Sequence, residues 1–243
     1  MVTNGRLTTV ETRALATAPG HRLRADAAKS FDRLAAACVR RYGWVPRLTD
    51  SYRPLAVQEA IFRARYVRQA TGAGYYGDVR RWNGVRYVRR RGFAAAAIPG
   101  QSNHGVGLAV DCTDLANAGF NGTRYRQLIA LGAEYGWTNA EGRRVGEAWH
   151  LGYAPGLDQH KGDPVPASAW PTGVYGFGST GEPVKRLQSG LNRLLGVRLL
   201  PDGQLGAASE TAVKTYQRSR KLNDDGVVGV NTRARLKRDG VIV

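Results

Sequence analysis

Four histidines stand in the 243-residue chain, and two of them, His104 and His150, stand in segments where a nearby acid could join them in chemistry. His104 precedes Asp111 by seven residues within SNHGVGLAVD (residues 102–111), and His150 follows Glu147 by three within EAWHLGY. Imidazole nitrogens and a carboxylate oxygen are donors that a catalytic zinc takes. Such a metal has three protein ligands and a fourth position for a water whose pKa falls to about 7. His104, Asp111 and His150 supply that set, and Glu147 supplies a carboxylate able to take a proton from water and pass it to a leaving amine. The same residues also occur as polar groups satisfied at strand ends, with the acids as caps, so spacing alone leaves both readings open.

The segments around these residues predict how they are carried. VGLAVD alternates small and apolar residues like a strand, and Gly105, Gly107 and Ala109 allow close backbone approach around it. A second strand bearing His150 completes the site. Residues three apart in a strand point to opposite faces, so Glu147 is expected in the loop before that strand, with Gly146 permitting the turn. Upstream, Phe31, Leu34, Ala35, Cys38, Val39 and Tyr42 recur at helical spacing, with Asp26 as a cap and Gly43 as a stop. An extended PRLTDSY leads into a second helix over RPLAVQEAIFRARYVRQA, with Pro54 in its first turn and Leu55, Gln58, Ile61 or Phe62, and Tyr66 on one side. A third helix follows near TRYRQLIALGAEYG, with Thr123 as its cap. Asn83-Gly84, between two runs of arginine, aromatic and β-branched residues, predicts an exposed hairpin or flap.

These segments resemble the zinc D,D-peptidase family that includes the VanX and VanY enzymes and many phage endolysins. The family pattern Ser-x-His-x-x-Gly-x-Ala-x-Asp is met at every fixed position by Ser102, His104, Gly107, Ala109 and Asp111, and its Glu-x-x-His by Glu147 and His150. A third match is SYRP, where Arg53 stands at the family's arginine and Pro54 replaces its usual serine. The resemblance covers roughly residues 20–155. It implies that His104, Asp111 and His150 bind Zn²⁺, that Glu147 is the general base and acid, and that Arg53 stabilises the developing oxyanion. Gln58 and Ser102 match commonly occupied family positions, with roles in support and substrate contact.

Between residues 155 and 182 the chain turns rich in proline, glycine and small polar residues and loses periodicity. Beyond it, two units starting at Asp202-Gly203 and Asp225-Gly226 repeat with an offset of 23 residues, each an Asp-Gly turn, an apolar residue, a glycine and a helix. With Leu205, Thr211, Ala212, Val213, Tyr216 and Gln217 they resemble the three-helix peptidoglycan-binding domain. The Asp-Gly pairs are read as turn chemistry that shapes the fold. The expected organisation is a zinc peptidase domain over residues 1–160, a linker over 161–178 and a peptidoglycan-binding domain over 179–243. The fold class is α+β, a small antiparallel sheet flanked by helices, plus a small three-helix domain.

The formal charge is +17, with 24 Lys or Arg against 13 acids up to residue 181 and 12 against 6 beyond, so both parts are basic. That charge favours a polyanionic partner: nucleic acid, an anionic membrane or an acidic wall polymer. The arginine hairpin, residues 80–91, with Trp82 and Tyr87, admits a nucleic-acid reading, but no helix-turn-helix, zinc finger or RNA-binding signature accompanies it. A flap touching an anionic wall is the preferred role. No run approaches the about 20 apolar residues of a membrane helix, and the N-terminus lacks a secretory pattern. Two cysteines, Cys38 and Cys112, favour a reducing compartment, with Cys38 acting as a small core hydrophobe. The expectation is therefore a peptidoglycan hydrolase of phage endolysin type, made without a signal peptide in the host cytoplasm and acting on the cell wall after release. Its partners are peptidoglycan and acidic wall polymers, with no nucleic acid, no membrane insertion and a monomer as the default. The alternatives are a bacterial D-Ala-D-Ala carboxypeptidase of wall maturation and a non-catalytic wall-binding protein.

Overall fold

A computed structural model describes residues 3–116 and 119–243. Its strands and helices, in chain order, are β1 (Thr12–Ala14), β2 (Arg22–Arg24), α1 (Ala25–Tyr42), β3 (Leu48–Asp50), α2 (Leu55–Arg65), β4 (Tyr66–Arg68), β5 (Val79–Trp82), β6 (Val85–Arg89), β7 (Ala109–Cys112), α3 (Thr113–Ala116), α4 (Thr123–Glu134), β8 (Tyr135–Thr138), α5 (Ala140–Val145), β9 (His150–Asp158), α6 (Glu182–Leu195), α7 (Ala207–Ser219) and α8 (Val230–Arg238). The α+β class is as expected. The chain divides into two units: one runs up to Leu15, from Gly20 to Phe31 and from Pro46 to Gly162, and the other takes Ala16–Pro19, Asp32–Val45 and Asp163–Val243.

In the first unit an antiparallel sheet of order β3-β7-β9-β8 carries the site. Its inner side is closed by Phe31 and Trp137, which meet edge to face with centroids 5.4 Å apart, and by Leu128, Leu151 and Leu115, all fully buried. Each such side chain stabilises the fold by about 1.5–3 kcal/mol, which fixes which face of β7 and β9 turns inward. The polar tips are satisfied as well: Trp137 Nε1 donates to Ser30 Oγ at 3.1 Å, and Ser30 donates to the Tyr135 carbonyl at 2.6 Å.

A second antiparallel sheet, order β4-β6-β5, forms the arginine-rich flap. Asn83 and Gly84 both take positive φ, 48° and 74°, as a two-residue turn between right-twisted strands demands. The second helix is shorter than its sequence pattern suggested. It stops at Arg65, because Tyr66 and Val67 pair with Arg89 and Val88 of β6. Tyr66 is thereby stacked on Phe62 at 4.6 Å, with Trp82 and Tyr87 completing a buried aromatic cluster.

In the second unit, Val184, Leu187, Leu191, Leu205, Val213, Tyr216, Val228 and Leu236 form a core among α6, α7 and α8. Residues 163–178, expected within a linker, belong to this unit: Ala169 and Trp170 are buried, Trp170 Nε1 donates to the Phe177 carbonyl at 3.0 Å, and Tyr175 pairs with Val228. Isolated aromatic anchors hold this stretch, and they leave no periodicity to read. Cys38 and Cys112 are both buried thiols.

The 23-residue repeat has a physical basis. Gln188 and Gln217, each 1% exposed, clamp the two Asp-Gly turns in the same way. Gln188 accepts from Gly203 N and donates to Asp202 Oδ1, the Gln204 carbonyl and Ser209 Oγ. Gln217 accepts from Gly226 N and donates to Asp225 Oδ1, the Val227 carbonyl and Thr232 Oγ1. A buried donor left without its acceptor costs about 1–3 kcal/mol. Gln217→Leu is therefore expected to lower the stability of the second unit by about that amount in urea unfolding; an unchanged midpoint would show that the clamp contributes nothing.

Candidate metal centre

The site begins at a 3₁₀ turn, Asn103–Val106, that presents His104. Ser102 Oγ accepts from His104 N at 3.3 Å and the Ser102 carbonyl accepts from Asn4 Nδ2 at 2.8 Å, so Ser102, 6% exposed, shapes this turn. Gly107 ends the turn in the left-handed region at φ 65°, and a Cβ there would stand 2.6 Å from Arg24 N. At Gly105 a Cβ would lie 1.9 Å from Asn4 Oδ1. These two glycines let the loop fold tightly against the N-terminal segment, and the chain then enters β7.

β7 pairs with β9 so that Asp111 lies directly opposite His150, and cross-strand partners share a face. His104 is brought to the same point from its turn. Its Nε2 lies 3.3 Å from Asp111 Oδ1 and 3.3 Å from His150 Nδ1, while His150 Nδ1 lies 3.0 Å from Asp111 Oδ1. Glu147 is in the turn before β9, following Gly146 at φ 81°.

Hydrogen bonds on the far side of each imidazole settle which nitrogen faces the centre. His104 Nδ1 donates to the Ser51 carbonyl at 2.8 Å, which can only accept, so its Nε2 carries the lone pair. His150 Nε2 donates to Glu141 Oε2 at 3.1 Å, which leaves its Nδ1 lone pair inward. Three acceptor atoms therefore converge in a pocket where both histidines are under 7% exposed. In a tetrahedral zinc site with bonds of 2.0–2.2 Å, neighbouring ligand atoms stand about 3.3–3.5 Å apart. Two of the separations here, both 3.3 Å, stand at the lower edge of that span, and the third, 3.0 Å, falls 0.3 Å short of it. Among the described residues these three form the group able to hold a metal ion.

Without a cation the convergence is relieved by protons. Burial works to raise the Asp111 pKa, yet hydrogen bonds from His104 and His150 overcome it and hold the carboxyl well below the usual range. Burial likewise works to lower His150, but the Asp111 and Glu141 carboxylates outweigh it and raise it. Glu147 goes the other way. Its burial raises it above the ordinary carboxylate value; the His150 charge opposes this, that of Asp111 assists and that of Arg65 opposes.

Arg53 is joined to the same region, since its backbone N donates to the His104 carbonyl at 3.1 Å. Its guanidinium is fixed by Asp50, Nε to Oδ2 at 2.9 Å with a second bond from Nη2, and by Gln58, Nη1 to Oε1 at 2.6 Å. Gln58 is 2% exposed and spends its amide N–H on the Ala97 carbonyl, so it holds Arg53 in place from inside the fold. Three of the five guanidinium donors are engaged, leaving two for another acceptor.

Sequence reasoning did not find Glu141, Asn139 or Asp50. Asn139, 3% exposed, donates to the carbonyls of both Glu147 and His150 and accepts from Tyr125, pinning the turn between them. Glu141 lies at no motif spacing from His150, and the Ser51 carbonyl is supplied by backbone, so neither leaves a residue-type signal. Asp50 alone had one, an acid three residues before Arg53.

The chain belongs to the D-alanyl-D-alanine carboxypeptidase family, whose model matches residues 20–156. Residues 180–236 match a peptidoglycan binding domain family. Among solved structures, a peptidoglycan-binding protein from Clostridioides difficile, in complex with glutamine hydroxamate, is 34% identical over 28% of this chain and 42% of that one, with a TM-score of 0.26. The chain thus spans under half the length of that protein. The LD-carboxypeptidase LdcB is 18% identical over 65% of this chain and 76% of its own, with a TM-score of 0.45. A mutant of the vancomycin resistance D,D-pentapeptidase VanY, in complex with Zn(II), is 20% identical over 63% and 86%, with a TM-score of 0.37. No curated protein matches the chain.

Removing the partner of a ligating imidazole typically lowers metal affinity about 10- to 100-fold. Glu141→Gln is expected to weaken zinc binding within that range in a chelator competition. Equal affinity would exclude Glu141 from orienting His150.

Proposed function

We propose that this chain is a zinc-dependent peptidoglycan hydrolase of the endolysin type, cutting amide bonds in the stem peptide of the cell wall. The observation that carries the reading is the convergence of His104 Nε2, Asp111 Oδ1 and His150 Nδ1 at mutual distances of 3.0 to 3.3 Å, with the half-buried Glu147 in the adjoining turn. His104, Asp111 and His150 would hold the metal. When bound, Zn²⁺ polarises the scissile carbonyl and acidifies a water beside it.

This chain's own groups move the protons. Glu147 takes one from the water as its oxygen attaches to the carbonyl carbon. Burial, which raises the Glu147 pKa, helps it keep that proton long enough to deliver it to the amide nitrogen. The C–N bond then breaks, giving a carboxylate and an amine. Arg53, held rigid by Asp50 and Gln58, offers its remaining N–H donors to the negative charge that grows on the carbonyl oxygen. Ser102 keeps His104 in register and Gln58 positions Arg53.

Residues 179–243 are proposed to bind the wall and so raise the local concentration of a peptidase in residues 1–160 around a polymeric substrate. The charge of +17 suits an anionic wall. A second reading is favoured by the family itself, whose description is a carboxypeptidase: removal of a terminal D-alanine during wall maturation.

Purified walls test the chemistry. Glu147→Ala is expected to slow wall clearing by about 10²- to 10⁴-fold, the usual contribution of a positioned acid–base group, while zinc content stays the same. An unchanged rate would refute the role of Glu147. Mass spectrometry of the released material separates the two readings, since free alanine marks the carboxypeptidase and larger peptides mark internal cleavage.

A further inference from the structure

The β4-β6-β5 flap carries a charge arrangement that the peptidase chemistry does not use. Between residues 63 and 91 the chain has nine arginines and a single acid, Asp78. Asp78 is already saturated: it accepts from Tyr66 Oη at 2.7 Å and lies 2.7 Å and 3.5 Å from Arg80 and Arg89. Arg63 reaches Glu59 at 3.8 Å, and the other six arginines have no carboxylate partner among the described residues. Register makes the crowding sharper. Arg81 stands directly opposite Arg86, and like charges facing each other across a hairpin destabilise it. Arg90 and Arg91 follow immediately, both exposed.

The scaffold beneath is stiff. Phe62, Tyr66, Trp82 and Tyr87 form a buried cluster, and the two-residue turn at Asn83-Gly84 fixes the ribbon. Two exposed rings nearby each carry a guanidinium on one face: Arg91 lies over Tyr75 at 4.6 Å and Arg89 over Tyr76 at 4.0 Å. Arg63 covers Trp82 in the same way, at 4.6 Å. Binding of single-stranded nucleic acid relies on aromatic faces open to bases, and one face of each of these two tyrosines is taken by a guanidinium. The planar N–H forks of Arg81, Arg90 and Arg91, all exposed and without a carboxylate partner among the described residues, suit the backbone of a polymer carrying repeated phosphate groups.

The helix that leads directly into the flap also adjoins the site. Arg65 donates to the Ala95 carbonyl at 2.9 Å and exerts its charge on Glu147, and Gln58 ties Ala97 to Arg53. We infer that the exposed arginines Arg81, Arg90 and Arg91 bind phosphodiester-linked polymers of the cell wall and so give the catalytic unit a wall contact of its own. This rests on the reading of the protein as a wall hydrolase.

The test uses the full chain with Glu147→Ala, so that walls stay intact during binding. Retention is measured on purified Gram-positive walls before and after cold hydrofluoric acid strips their phosphodiester polymers. The triple change Arg81→Glu, Arg90→Glu, Arg91→Glu is expected to lower retention on intact walls about tenfold at low salt, as losing three exposed ion contacts implies. On stripped walls parent and variant should bind alike. A triple Arg→Gln variant of the same positions, checked for an unchanged melting temperature, covers misfolding of the charge-reversed protein. Equal retention of parent and variants on intact walls would overturn the inference, as would an equal loss on stripped walls, or a parent that binds duplex DNA more tightly than walls. Hydrolysis of a soluble stem peptide by the same triple change in the Glu147-containing protein reports separately on the peptidase reading, and is expected to be unchanged.

Discussion

Three lone pairs pointed at one another inside a protein are unfavourable, and the first unit is organised around that conflict. His104 Nε2, Asp111 Oδ1 and His150 Nδ1 face inward because the opposite nitrogen of each imidazole is tied to an acceptor, the Ser51 carbonyl for one and Glu141 for the other. A cation at the centre resolves the repulsion at once. Protons do so only in part: the hydrogen bonds and charges among these groups drive the Asp111 carboxyl down and the His150 imidazole up. Burying an unpaired carboxylate is costly, so the arrangement is stable only as a set.

The surrounding architecture serves that set. Antiparallel pairing of β7 with β9 puts Asp111 opposite His150, and pairing of β3 with β7 brings the Ser51 carbonyl beneath His104 and places Asp50 opposite Asp111. Two acids facing each other repel, and here each is neutralised by a different cationic partner, Arg53 for Asp50 and the histidines for Asp111. The fixed position of Arg53 thus follows from the same register that builds the metal centre. Gly105 and Gly107 allow the His104 turn to lie against the N-terminal segment and Arg24 without room for a Cβ.

How much of this was legible in the sequence depends on whether a residue's type announces its task. His104, Asp111, His150 and Glu147 were visible because the motifs that hold them are specific; the geometry brings the first three together and sets Glu147 in the adjoining turn. The Asn83-Gly84 hairpin was equally plain, since few sequences satisfy two left-handed residues in a row. The end of α2 at Arg65 was not, because Tyr66 fits either a helical face or a strand, and pairing with β6 decided it. Residues 163–178 read as a linker because Trp170 and Tyr175 are anchored singly, by contacts that no period encodes. Glu141 and Asn139 were hidden for a related reason: their importance lies in which atoms they touch.

The central claim is that this chain folds around one zinc ion held by two imidazoles and one carboxylate. X-ray absorption at the zinc edge on the purified full-length protein, with metal stoichiometry from the same sample, tests it most directly. The account predicts one zinc per chain, with a shell of nitrogen and oxygen donors at about 2.0–2.2 Å and no sulfur. Absence of zinc after equilibration with the metal, or a shell containing a thiolate at about 2.3 Å, would contradict it.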